Sequence, residues 1–66
     1  MNYIRSSNGR VIGWTETVHG GVQQIRNANG KLLGWYDPTS DRTVDARTGN
    51  WMGIGNQLMI LLGCQS

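Results

Sequence analysis

The stretch Ile25-Arg26-Asn27-Ala28-Asn29-Gly30-Lys31-Leu32-Leu33-Gly34-Trp35 decides the fold. It places an Asn-Gly pair between a short polar segment and an apolar segment, which is a strong sequence signal for a β-hairpin. Asn and Gly both tolerate the positive φ angles that the two central residues of a type I′ turn require. The stretch therefore predicts an antiparallel hairpin with its tip at Asn29-Gly30.

The same pattern occurs twice more in the chain. The segment 4–14 matches 25–35 at six of eleven positions, and the segment 44–54 keeps both glycines and the apolar pair between them. Thr48-Gly49 suits a turn with one left-handed residue. Internal repetition sets the architecture, so we predict an all-β fold, an antiparallel meander of three tandem degenerate β-hairpin repeats in a single domain, 1–66. The repeat units are about 3–18, 22–37 and 42–54, and the predicted strands are 2–6, 10–17, 22–26, 31–36, 42–46 and 50–54.

The second strand of each predicted hairpin, which we call the outgoing strand, contains an interior glycine. These glycines are Gly13, Gly34 and Gly53. Glycine inside a strand marks a bulge or the close approach of another group, and an aromatic ring across the bare backbone is one such arrangement. The adjacent apolar residues before these glycines predict that both sheet faces are covered, one by the core and one by a neighbouring chain or sheet. The three tryptophans are expected to form the main core or interface mass.

The tail, 55–66, departs from the repeat. Asn56 can cap a short helix over 57–62 that Gly63 ends, and a short final strand is the alternative. The apolar run 58–62 must be covered by the sheet or by another subunit. The links at His19-Gly20-Gly21 and at 37–41 have ordinary turn chemistry.

The small size of the chain predicts self-association. A chain of 66 residues buries a small core, and its single cysteine and single histidine exclude an internal disulfide and disfavour a zinc site. We therefore expect a homo-oligomer. The predicted subunit contacts are Trp51, Leu58, Ile60, Leu61 and Leu62.

The chain lacks a recognisable catalytic, cofactor or metal motif, and we expect it not to be an enzyme. His19 lies in a glycine-flanked turn, a poor place for a positioned base, and the spacing of Asp37, Asp41 and Asp45 matches no compact calcium loop. The lone thiol of Cys64 fits a reducing compartment. The run 58–62 is too short to span a bilayer, so no membrane association is expected.

The mild positive charge of the first half of the chain indicates a second candidate function, nucleic-acid binding. Residues 1–35 carry a net charge of +3 and residues 36–66 carry −1, from the Arg, Lys, Asp and Glu positions. Cations interleaved with aromatic rings can bind single-stranded nucleic acid. The residues for such an interaction surface are Arg5, Arg10, Trp14, Arg26, Lys31 and Trp35. The simpler interpretation is that the tryptophans are buried and the cations solvated. Ligand capture at a subunit interface lined by Trp14 and Trp35 is a third hypothesis.

The chain has the repeat pattern Asn-Gly-basic-apolar-apolar-Gly-aromatic, followed by Trp35-Tyr36-Asp37, by Asp45 and by the ending Gly55-Asn56-Gln57-Leu58. This pattern resembles short proteins of unknown function encoded by phages and prophages. The resemblance covers residues 3–62 and transfers no functional residues. The units are also loosely similar to the tyrosine–aspartate repeats of bacterial toxin shells. The resemblance itself carries no assigned activity. Together with the lack of a catalytic motif and the small core, it leads us to expect a non-enzymatic phage or prophage accessory protein that acts through contacts with a host or phage protein, in the host cytoplasm or associated with the virion.

Overall fold

The fold is a six-stranded antiparallel sheet with one helix packed on one of its faces. The computed structural model describes residues 1–63, so Cys64 lies outside the described residues. The strands follow one another in chain order across the sheet: β1 (Asn2–Arg5), β2 (Val11–Thr17), β3 (Gln23–Asn27), β4 (Leu32–Asp37), β5 (Arg42–Asp45) and β6 (Asn50–Ile54). A 3-10 turn at His19–Gly21 links β2 to β3, and helix α1 (Leu58–Gly63) follows β6. This architecture confirms the predicted all-β meander of hairpins.

The hairpin tips differ in turn type from the type I′ prediction, which was wrong. Gly9 and Gly30 have φ of 85° and 86°, whereas Asn8 and Asn29 keep negative φ. The Gly30 amide donates to the Asn27 carbonyl at 3.0 Å, which closes a four-residue turn. The Asn27 side chain favours this longer turn, because its Oδ1 accepts hydrogen bonds from the amides of Asn29 and Lys31 at 2.9 and 3.0 Å.

The third hairpin has a tip one residue longer than the other two. The Gly49 amide donates to the Asp45 carbonyl four residues earlier, whereas the equivalent bond of Gly30 spans three residues. As a result Thr43, and not Val44, pairs with Gly53 in the way that Ile25 pairs with Gly34. The third unit is therefore offset by one residue from its sequence alignment with the others.

A bulge precedes the interior glycine of every outgoing strand. In β4, Gly34 pairs with Ile25 and Leu32 pairs with Arg26, so Leu33 is the extra residue. Ordinary alternation along the strand puts Leu32 and Leu33 on opposite faces, and the bulge lets Leu33 and the adjacent Gly34 both face α1. Leu33 is 1% exposed in the core, while Leu32 lies beside Arg26 on the other face.

Helix α1 supplies more than half of the buried apolar core. The Leu58 amide donates to Asn56 Oδ1 at 3.1 Å, which confirms the predicted cap, and the tail forms the predicted short helix and not the alternative strand. The buried hydrophobic residues are Ile25, Leu33, Leu58, Leu61 and Leu62, and each such side chain contributes about 1.5–3 kcal/mol when fully buried. The three helix leucines, predicted as subunit contacts, pack against their own sheet and are not available to a second chain.

The interior glycines make room for α1. A Cβ at Gly34 would lie 2.4 Å from Leu61 Cδ1, and a Cβ at Gly13 would lie 2.8 Å from Leu62 Cδ2. The predicted close approach is confirmed, but aliphatic helix side chains occupy the space in place of aromatic rings. Buried Thr43 fixes the chain between β6 and α1, because its Oγ1 donates to the Gly55 carbonyl at 2.7 Å and accepts from the Gln57 amide at 2.9 Å.

Candidate interaction surface

The sheet face opposite α1 carries all three tryptophans. Gly13 and Gly34 face the leucines of α1. Successive strand residues point to opposite faces, so Trp14 and Trp35 lie on the other side. Within residues 1–63 no helix or second sheet covers that side. We refer to it as the open face.

Strand pairing arranges the open face in three rows across the sheet. Side chains on neighbouring strands in register lie side by side. The first row is Tyr3, Trp14, Arg26 and Leu32; the second is Glu16, Gln24, Trp35, Val44 and Trp51; the third is Asp37, Arg42 and Ile54.

The tryptophans lie outside the buried core, contrary to the simpler interpretation of the sequence. Trp51 is 67% exposed, and Tyr3 and Ile54 are 60% and 67% exposed. Trp14 and Trp35 are half-buried. Leucines of α1 fill the core in their place, which leaves the indoles on the uncovered face.

Hydrogen bonding and ring packing hold Trp14 in place. Its Nε1 donates to Glu16 Oε1 at 2.6 Å, and its ring meets the Tyr3 ring edge-on with 6.2 Å between centroids. Glu16 Oε1 also lies 3.6 Å from Arg26 Nε. The Trp14 indole is therefore pre-oriented before any partner arrives.

A second aromatic site lies near the β6 edge. The Arg42 guanidinium carbon lies 4.6 Å from the Trp51 ring centroid, within the range of a cation–π interaction. Strand pairing also places Arg42 beside Asp37. Sequence analysis missed Arg42, Val44 and Ile54. Period-two alternation relates Arg42 to Val44, but the bulge at Met52 puts Ile54 out of phase with Trp51, and the pairing of Val44 with Trp51 is known only from the structure.

The basic residues predicted for nucleic-acid contact divide between two roles. Arg5 Nη1 donates to the Gly9 carbonyl at 3.0 Å, and Arg26 Nη1 donates to the Gly30 carbonyl at 2.9 Å. Both guanidiniums thus brace their own hairpin tips.

Arg10 and Lys31 lie at the ends of the hairpin tips, away from the three rows. Both are exposed. Arg10 borders a shallow groove of about 310 Å³ that is also lined by Val11, Ile12 and residues 27–29. Of the six predicted residues, the structure brings Trp14, Arg26 and Trp35 together in the rows of the open face.

The three aspartates of the second half have separate local partners. Tyr36 donates its phenolic hydrogen to Asp41 Oδ1 at 2.6 Å, and this hydrogen bond raises the pKa of Tyr36. Hydrogen bonds from Arg47 lower the pKa of Asp45. Asp37 Oδ1 accepts from the Thr39 amide at 2.9 Å.

Among residues 1–63 no three His, Cys, Asp or Glu side chains gather in a group that could hold a metal ion. In that same part of the chain, no helix has the length and apolar character needed to cross a bilayer. His19 is exposed in its turn.

Comparisons with protein-family models, with curated proteins and with solved structures found no match to this chain.

Proposed function

We propose that this chain is a non-enzymatic binding protein that acts through protein–protein contacts made by its open face. The observation that carries the proposal is the one-sided covering of the sheet: α1 covers one face, and the other presents three indoles. Aromatic side chains dominate the energetics of protein interfaces. An accessory role for a phage or prophage, in the host cytoplasm or on the virion, is the biological setting that we propose for it.

A protein partner fits the open face better than a nucleic acid does. A polyanion is held by cations that are free to neutralise phosphates. Here Arg26 is shared between Glu16 and its own turn, and Arg5 is bonded to the Gly9 carbonyl. On the open face of residues 1–63, Arg42 over Trp51 favours the nucleic-acid alternative, since guanidinium and indole together stack on bases. The exposed cations Arg10 and Lys31 lie at the hairpin tips, away from that face.

Hydroxyl-radical footprinting inside the producing cell tests the proposal. Trp51 on the open face and Met59 on α1 serve as matched probes, because their side chains are 67% and 59% exposed. We expect Trp51 and Tyr3 to be protected in the cell relative to the highly diluted purified chain, with Met59 unchanged. The protection should survive nuclease treatment.

Two results would contradict the proposal. Loss of the protection on nuclease treatment would move the assignment to nucleic acid. Equal reactivity of Trp51 in the cell and in the dilute chain would mean that the open face makes no contact.

A further inference from the structure

The open face has two apolar areas, Tyr3 with Trp14 on β1 and β2 and the side chains around Trp35 on β4 to β6, with polar residues of β2 and β3 between them. Trp35 lies in the middle row, with Gln24 on one side and Val44 on the other. Tyr3 and Ile54 extend these areas towards the two edges of the sheet, and both are more than half exposed. Two antiparallel sheets packed face to face at about 10 Å form a sandwich with such side chains between them.

The charges of the open face already have partners within the chain. Glu16 binds the Trp14 indole and lies beside Arg26, and Arg42 stacks on Trp51. Strand pairing places the fourth charged side chain, Asp37, beside Arg42. The four charges sum to zero, so covering this face would bury no excess charge, and a lone buried charge would be the costly case. A partner of balanced charge is required, and another copy of the same face has that property.

The dimensions of the chain fit a dimer interface. The chain measures 34 × 22 × 18 Å. The rectangle bounded by the two longer dimensions sets the upper limit for the extent of the open face, and this limit is of the order of the ~800 Å² that each partner buries in a standard interface. Among residues 1–63 the core contains five buried hydrophobic residues, and small domains commonly gain stability through association.

We propose that the occupant of the open face is a second copy of this chain, packed sheet to sheet about a twofold axis with Trp35 near its centre. This inference rests on the proposed function, because it names the partner of the same surface. Each copy contributes the same patch, as an isologous interface requires. The outer side of α1, where Met59 and Ile60 are exposed, stays free in this dimer.

Sedimentation and light scattering of matched charge variants test the dimer. Trp35→Lys places an unpaired charge at the centre of the open face, and Ile60→Lys makes an apolar-to-lysine change on the outer side of α1. We expect the wild type and Ile60→Lys to reach twice the 7.3 kDa chain mass, and Trp35→Lys to weaken dimerisation by at least roughly 30-fold.

A second variant distinguishes loss of the dimer from misfolding of the Trp35→Lys chain. Trp51→Lys changes a side chain that is 67% exposed, so the fold should tolerate it, and far-ultraviolet circular dichroism checks both tryptophan variants. We expect Trp51→Lys also to weaken the dimer.

Three results would overturn the inference. They are a wild type that stays at the single-chain mass up to roughly millimolar concentration, a stable assembly larger than two copies, or a dimer lost in Ile60→Lys and kept in Trp35→Lys. If the wild type is monomeric and the footprint of Trp51 in cells persists after nuclease treatment, the partner is a different protein and the proposed function stands. If that footprint is also absent, both proposals fail.

Discussion

Replacing Gly34 by alanine tests the packing of α1 against the sheet. The new Cβ would lie 2.4 Å from Leu61 Cδ1 and 2.3 Å from the Val44 carbonyl oxygen. Leu61 could change rotamer, but the Val44 oxygen is backbone held in the β4–β5 pairing. The substitution therefore forces β5 or α1 to move.

The expected destabilisation follows from two opposing contributions. Overpacking of a well-packed site costs about 1–3 kcal/mol, and the backbone contact places Gly34→Ala at the upper end. Alanine also lowers the conformational entropy of the unfolded chain, which stabilises the folded state by about 0.4–1 kcal/mol. The net loss of about 2 kcal/mol is a large part of the ~3–10 kcal/mol expected for a domain of this size. It lowers the melting temperature by roughly 8–16 °C.

Thermal and urea unfolding followed by circular dichroism measure this loss, with two control variants. Gly63→Ala meets no atom within 4 Å and should change the unfolding free energy by less than about 0.5 kcal/mol. Gly9→Ala also meets open space, but at φ 85°, so it should cost about 1–2 kcal/mol from backbone strain alone. A Gly34→Ala protein with the melting temperature of Gly63→Ala would refute the packing of Leu61 over Gly34.

Three further predictions concern the core and the turns. Leu61→Ala should lower the free energy of unfolding by about 2–5 kcal/mol, measured by urea denaturation; a loss typical of a surface site would contradict its burial. Thr43→Val should cost about 1–3 kcal/mol because the Gln57 amide and the Gly55 carbonyl lose their partner, and faster amide exchange at Gln57 should accompany the loss. Arg47 lowers the pKa of Asp45 in the folded chain. The stabilisation that the Asp45–Arg47 interaction contributes is therefore complete above the pKa of Asp45 in the unfolded chain, near 3.9. It is lost as the pH falls through the lower pKa of Asp45 in the folded chain. Asp45→Asn should be less stable than the wild type at pH 6 and equally stable in strong acid, and a difference independent of pH would contradict this.

The sequence alone was sufficient for the order and approximate bounds of the elements. Asn-Gly and Thr-Gly pairs punctuate the apolar segments, and local turn chemistry limits where a strand can begin and end. The helix was predicted from Asn56 and Gly63, whose roles at helix ends are also local. Each of these predictions depends on residues close together in the chain.

The sequence could not identify the group that covers the interior glycines. Gly34 signals a close approach, but its neighbour Leu61 is 27 positions away, and nothing local selects a leucine over an indole. Of the two roles predicted for the tryptophans, core or interface, the core role was wrong for the same reason. Once α1 fills one face, alternation along the strands leaves Trp14 and Trp35 on the other.

The offset of the third repeat was also beyond sequence alignment. The spacing between Gly49 and Gly53 equals that in the other units, so the alignment matched Val44 to Ile25. The extra residue lies in the turn that begins at Asp45, where one added residue changes which strand positions face each other. Only the observed pairing of Thr43 with Gly53 shows it.

Fluorine NMR of protein labelled with 5-fluorotryptophan tests most directly that the open face is the contact surface. Trp14, Trp35 and Trp51 give one resonance each, assigned by single Trp→Phe variants, and the solvent isotope shift reports how far each indole meets water. We predict that the solvent isotope shifts of Trp35 and Trp51 decrease together as the protein is concentrated. The solvent exposure reported by a label on α1 should stay the same. Isotope shifts that stay constant from the dilute chain to the concentrated protein, and in the lysate of the producing cell, would contradict the account.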